Sequence, residues 1–185
     1  MKYALFDIKE PVTEQMVSAL LQTLREQGAD WRCEQALRFK HLFGQFCCLK
    51  SYELLMALSG YNASFAYNEH GKPFWPQGPF FSISHCKTGI LVAVHDAPVG
   101  VDIESYRAFD ETLIARTMNT EEQTSIAAAS DPRKAFISLW TQKEAYLKFI
   151  GTGIVDDLHQ VLDNLPPTQK IVTEMKDLYA YTIVS

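Results

Sequence analysis

An α+β fold is predicted from three features of the 185-residue sequence. Helical periodicity comes in runs and does not alternate with strands. Period-two stretches gather between residues 64 and 95 and again in the tail. Short polar turns join those stretches, as antiparallel pairing requires.

Taken in order, residues 3–6 (YALF) read as a short strand that ends before Pro11. Thr13 can cap a helix over Glu14–Gln27, whose apolar positions Met16, Val17, Leu20, Leu21 and Leu24 share one face, and Gly28 stops it. A second helix is expected over Cys33–His41 and a third over Gln45–Ser59, closed by Gly60. The pattern then changes to strands: SFAY at 64–67, a GKP turn at 71–73, PFFSISH at 79–85, and ILVAVH at 90–95 paired with its predecessor across CKTG. Ala97-Pro98 marks a seam, dividing the chain into an N-terminal half (1–97) and a C-terminal half (98–185). Val99–Glu104 is a strand, residues 108–130 are largely helical, and Pro132 opens a long helix over Arg133–Ile150 that Gly151 and Gly153 stop. The tail supplies strands near 169–174 and 178–184.

Composition narrows the function. Hydrophobic residues are 47% and charged residues 21%, ordinary for a globular protein, and the net charge is −5. An acidic chain is a poor partner for nucleic acid, whose phosphates call for a basic face. No apolar run reaches the ~20 residues of a membrane span. Asp7 and Glu10 interrupt the stretch a signal peptide would need. Cys33, Cys47, Cys48 and Cys86 form no CxxC pair or zinc spacing, so a reducing cytoplasm is expected.

Four short segments carry chemistry. In GVDIE (100–104), strand alternation puts Val99, Val101 and Ile103 on one face and Asp102 with Glu104 on the other. Two carboxylates on one face need a cation or water between them; alone, the triplet reads first as a wet acidic strand face. In WTQKEAYLK (140–148), Glu144 lies under the apolar stripe Phe136–Trp140–Leu147. Burying it there is costly unless it is paired or binds metal, and Lys148 one turn on offers a plain intrahelical pair. FSISH (81–85) ends on Ser84-His85 at a turn, a place where a phosphate can be met. GKP (71–73) alone is ordinary turn chemistry.

Together and in this order, these segments resemble the 4′-phosphopantetheinyl transferases of the surfactin-synthetase-activating type, in the subgroup marked by a tryptophan and a Lys-Glu-Ala triplet. The matching motifs span residues 71–148, and Arg38-Phe39 adds a fainter likeness. The resemblance implies two similar α+β halves related by a pseudo-twofold, with coenzyme A in the cleft between them. It implies Mg²⁺ held by Asp102, Glu104 and Glu144, with Lys148, Ser84 and His85 on the phosphates and Gly71 and Lys72 beside the adenosine. The family's 3′-phosphate arginine has no counterpart, since no arginine lies between Arg38 and Arg107. Lys50 is its expected substitute, with Lys40 and His41 as alternatives.

The expected reaction moves phosphopantetheine from coenzyme A to the serine of an apo acyl- or peptidyl-carrier protein, releasing 3′,5′-ADP. Glu144 is the first candidate base and Glu122 the second, with Lys148 meeting developing charge. The expected partners are coenzyme A and the carrier, with no nucleic acid and no membrane, and the expected unit is a monomer. Two rivals use the same residues differently: a Mg²⁺-dependent nucleotide pyrophosphohydrolase, and a non-catalytic module that binds coenzyme A or a carrier.

Overall fold

The computed structural model describes residues 1–153, 157–163 and 165–185. Its order is β1 (Lys2–Asp7), α1 (Glu14–Glu26), α2 (Asp30–Ala36), α3 (Leu42–Ser59), β2 (Ala66–Tyr67), β3 (Pro73–Phe74), β4 (Phe80–Cys86), β5 (Gly89–His95), β6 (Gly100–Ser105), α4 (Glu111–Thr117), α5 (Thr120–Ala128), α6 (Pro132–Ile150), β7 (Ile171–Met175) and β8 (Tyr179–Val184).

Two three-stranded antiparallel sheets organise the chain, in the orders β1-β5-β4 and β6-β8-β7, with β2-β3 a small separate hairpin. In each sheet the earliest strand pairs with the latest one, after three intervening helices. β5 is buried on both faces, which is why GILVAVH reads as continuous apolar sequence rather than alternation. Ile90, Val92 and Val94 pack with α1, α2 and α3. Leu91 and Ala93 turn the other way and share a core with Val99, Val101, Ile103, Tyr181 and Ile183. The two sheets therefore build one interior between them. A third cluster, with Met118, Ile126, Phe136, Ile137 and Ala180, seats α4–α6 on the outer face of β8.

Several elements follow the sequence closely. Thr13 Oγ1 accepts from Met16 N at the start of α1, and Asp131 caps α6 with Pro132 in its first turn. Others move. The second helix covers Asp30–Ala36, not Cys33–His41, because its buried face of Ala29, Cys33 and Ala36 ends there. Residues 37–41 form a turn that leaves Leu37 and Phe39 exposed and delivers the chain to α3 three residues earlier than expected. Of SFAY only Ala66–Tyr67 pairs, since Phe65 turns into the aromatic cluster with Trp31, Tyr52 and Trp75. Residues 108–130 split into two helices because Asp110 and Asn119 each supply an N-cap, Asn119 in a reciprocal capping box with Glu122.

Candidate functional site

β4 and β6 lie side by side where the two sheets meet, and side chains rather than a backbone ladder join them. Ser82 Oγ accepts from Val101 N at 3.0 Å and Ser84 Oγ from Ile103 N at 3.4 Å. α6 packs directly on β6. That approach depends on Gly100: a Cβ there would lie 2.0 Å from Ala145 O and 2.4 Å from Phe149 N, a clash between backbones that no rotamer relieves. The glycine of GVDIE thus lets the KEA helix come down on the acidic strand.

The result is a tight node. Asp102, 4% exposed, receives at Oδ1 both the Ser84 hydroxyl at 2.7 Å and the Lys148 amine at 2.5 Å. The same amine lies 3.1 Å from Ser84 Oγ. Lys148 therefore pairs across to β6, and the intrahelical pairing with Glu144 does not form. Asp102 Oδ2 is buried with no hydrogen-bond partner. Burial, and then the charge of Asp102, raise the carboxyl pKa of both Glu104 and Glu144; Lys148 works against both shifts. The three carboxylates converge closely enough to repel one another. His85 lies one residue before the end of β4 with its ring edge-to-face with Phe43, and desolvation lowers its pKa.

Two cavities flank the node. One of about 230 Å³ lies between the β2–β3 turn and the end of α6, lined by Gly71, Lys72, Ser82, Lys148, Gly151 and Gly153. Gly71, Lys72 and Lys148, distant in sequence, thus share a wall. The other, about 210 Å³, is lined by Arg32, Gln35, Tyr67, Pro73 and His85 among others. Lys50 lines neither: its amine pairs with Glu53 and sits 4.6 Å from the Phe6 ring centroid. Lys40 and His41 are exposed in the turn before α3, His41 as its N-cap residue.

Arg32 is the cation that sequence reasoning missed. It is 7% exposed, donates to Cys48 O at 3.0 Å and Gln35 Oε1 at 2.6 Å, and lies over Trp31, Tyr52 and Phe65. Burial lowers its pKa. A signal was present, since Arg32 interrupts the apolar spacing Ala29–Cys33–Ala36, but starting the helix at Cys33 left it outside. Lys143 was read only as part of a motif. It is 1% exposed, and its amine donates to Thr117 O (2.9 Å), Leu158 O (2.8 Å) and Glu122 Oε2 (2.7 Å). Glu122 Oε2 also accepts from Asn119 N at 2.7 Å. The second candidate base is thus committed to a buried pair and a helix cap.

Among the described residues, no group of three or more His, Cys, Asp or Glu side chains forms a ready metal centre. At Asp102 the Lys148 amine occupies Oδ1 and leaves Oδ2 free. The donor set nevertheless suits a hard divalent ion: three carboxylates, two of them discouraged from ionising, and one oxygen with nothing to bind.

Fold and site together define an α+β protein that gathers carboxylates and cations at the seam between its two sheets. Residues 98–182 match the family described as the 4′-phosphopantetheinyl transferase superfamily. The 4′-phosphopantetheinyl transferase gsp of Aneurinibacillus migulanus is 27% identical over 147 residues, 78% of this chain and 62% of that protein. The corresponding psf-1 of Bacillus pumilus is 36% identical over 89 residues, 46% of this chain and 38% of its own length. A Saccharomyces cerevisiae L-aminoadipate-semialdehyde dehydrogenase-phosphopantetheinyl transferase is 30% identical over 134 residues, 65% of this chain and 49% of its own length. The chain is similar to these 4′-phosphopantetheinyl transferases, and its match to the superfamily lies in residues 98–182. It spans less than two thirds of the length of these relatives. No described helix is long and apolar enough to cross a membrane.

Proposed function

We propose that this chain transfers 4′-phosphopantetheine from coenzyme A to the serine of a carrier protein in a Mg²⁺-dependent reaction. The observation that carries this reading is the Asp102–Ser84–Lys148 node with its unpartnered Asp102 Oδ2. An unsatisfied buried acceptor costs about 1–3 kcal/mol, a cost that a bound cation at this oxygen would offset. Asp102, Glu104 and Glu144 would hold the metal. When bound, Mg²⁺ supplies charge neutralisation on the pyrophosphate and draws electrons from phosphorus.

The chain's own groups do the remainder. Lys148 leaves Asp102 for a phosphate oxygen and offsets the charge that develops on the leaving nucleotide. Ser84, then free to donate outward, and His85 line the same edge. Arg32 takes the part expected of Lys50, as the cation held ready on the His85 cavity. Its stacking on three rings fixes the guanidinium before any ligand arrives, which lowers the cost of ordering it on binding. Lys72 and Gly71 form the far wall of the neighbouring cavity. The carrier serine oxygen bonds to the phosphorus nearest pantetheine, the bond from that phosphorus to the 3′,5′-ADP oxygen breaks, and Glu144 takes the serine proton. Glu144 is preferred as base because Glu122 is already bound to Lys143 and the α5 cap.

The repeated strand order of the two sheets supports a pseudo-twofold, with Ala97-Pro98 as the division between halves 1–97 and 98–185. The shared core means that neither half would be complete alone. Four free, buried cysteines suit a reducing cytoplasm, and a site assembled within one chain suits a monomer.

Incubation with coenzyme A, Mg²⁺ and a panel of apo-carriers, followed by intact mass measurement, tests the proposal. A mass gain of one phosphopantetheine is expected on at least one carrier. Release of nucleotide without a carrier would assign a pyrophosphohydrolase instead, and binding without turnover a non-catalytic module.

A further inference from the structure

The two walls of the 230 Å³ cavity come from opposite parts of the chain, and the side chains of Asn68 and Lys72 join them. Asn68 opens the turn between β2 and β3. Its Oδ1 accepts from His70 N at 3.0 Å and Lys72 N at 2.8 Å, and its backbone N–H donates to Lys72 O at 3.0 Å, which fixes the turn internally. Its Nδ2 is left to point outward, where it donates to Gly151 O at 2.8 Å, at the end of α6.

Helix ends have carbonyls without intrahelical partners, and here the turn satisfies two of them. Asn68 takes Gly151 O, and the Lys72 amine takes Lys148 O. Gly151 sits at φ 79°, and a Cβ there would come within 3.4 Å of Asn68 Nδ2 and 3.5 Å of Lys72 Cδ. A Cβ at Gly153 would come within 3.5 Å of His70 Cβ. The glycines after α6 thus leave room for this turn as well as ending the helix.

We infer that Asn68 is a positioning residue for the coenzyme A cleft, holding the Gly71–Lys72 wall at a set distance from Lys148 by fastening the turn to the end of α6. The role of the cleft rests on the function proposed above; the fastening itself does not. Asn68 touches none of the reacting groups. It acts through Lys72 and through the last turn of α6, so it sets binding more than chemistry, since Asp102 stands on β6 and Glu144 lies one turn back along α6 from the first carbonyl that the turn holds.

The test is Asn68→Asp. Aspartate keeps the Oδ1 acceptor and so the turn, but it loses the donor and sets a carboxylate against Gly151 O. Asn68→Ala, which removes both roles, is the comparison. Hydrogen exchange followed by mass spectrometry should show faster exchange in Asn68→Asp at the last turn of α6 and through Gly151–Gly153, with exchange in β5 unchanged. The KM for coenzyme A should rise about tenfold, the effect of one lost part-buried hydrogen bond, while kcat stays within about twofold. Unchanged exchange at the end of α6 overturns the fastening. Faster exchange with an unaltered KM, or an equal loss in kcat, overturns the positioning role. A wild-type protein that neither binds coenzyme A nor modifies a carrier defeats the functional reading and the positioning role with it, while the exchange result still decides whether Asn68 fastens the turn.

Discussion

Two of the lysines on α6, Lys143 and Lys148, stand five positions apart in sequence, and each meets a carboxylate from another element. Lys143 and Glu122 have side chains 1% and 11% exposed, and the Lys143 amine is surrounded by carbonyls as well as by its ion partner. Lys148 and Asp102 are 31% and 5% exposed, and Asp102 keeps one oxygen without a partner. The first pair is saturated and sealed; the second is open at one side and incomplete. Saturation is what a buried charge needs in order to serve the fold, because an uncompensated ion in the interior costs several kcal/mol. Incompleteness is what a site needs in order to bind something. One helix therefore carries a sealed ion pair at one turn and an open one at the next, where the proposed chemistry lies.

Substituting Asp102 should break the comparison most sharply. Asp102→Ala is expected to abolish carrier modification by intact mass while circular dichroism and the melting transition stay near wild type. Residual turnover near the wild-type rate would remove Asp102 from the site. Exchanging the candidate bases sharpens the same contrast. Glu144→Gln should lower kcat by roughly 10²–10⁴, the usual worth of a general base. Glu122→Gln should mainly lower the melting temperature, since it weakens the partner of Lys143. If single-turnover rates show the reverse pattern, the roles of the two glutamates exchange.

At Lys143 the expected effect is on stability rather than rate. Lys143→Met leaves Glu122 buried without its cation and should cost about 3–5 kcal/mol in denaturant unfolding. Adding Glu122→Gln should recover much of that loss. A single variant as stable as wild type would mean that the pair is solvated in solution.

The smallest effect concerns pH and metal. Burial and mutual repulsion raise the pKa of Glu104 and Glu144. Their contribution to stability is therefore complete below the ordinary glutamate pKa and is lost as pH rises through the raised values. A divalent cation pairs with the ionised forms, so Mg²⁺ should raise the melting temperature more at pH 8 than at pH 5, by a few degrees. Equal shifts at both pH values, or shifts that persist in Asp102→Ala, would place the cation elsewhere.

Much of the candidate site's layout was legible because its signals are local. Alternation on β6 set Asp102 and Glu104 apart from Val101 and Ile103, and the cap and stop residues located α6. The parts that local signals did not reach were those in which a distant partner decides. Arg32 gains its aromatic bed from Tyr52 and Phe65, which no helix pattern near residue 32 reveals. Lys50 has the right charge, but Phe6 and Glu53 hold it away from both cavities.

The sequence by itself determined the α+β class, the two sets of strands, the acidic strand face and the helix carrying Glu144 and Lys148, because period, capping and turn chemistry act over a few residues. Only the tertiary structure decided which lysine meets which acid. Glu144 and Lys148 stand one turn apart, close enough to pair, yet Gly100 lets α6 press onto β6 and Lys148 turns to Asp102 instead. Glu122 and Lys143 were drawn into a buried pair by the packing of α5 against α6. Charge pairing depends on distance and burial in three dimensions, and sequence spacing supplies neither.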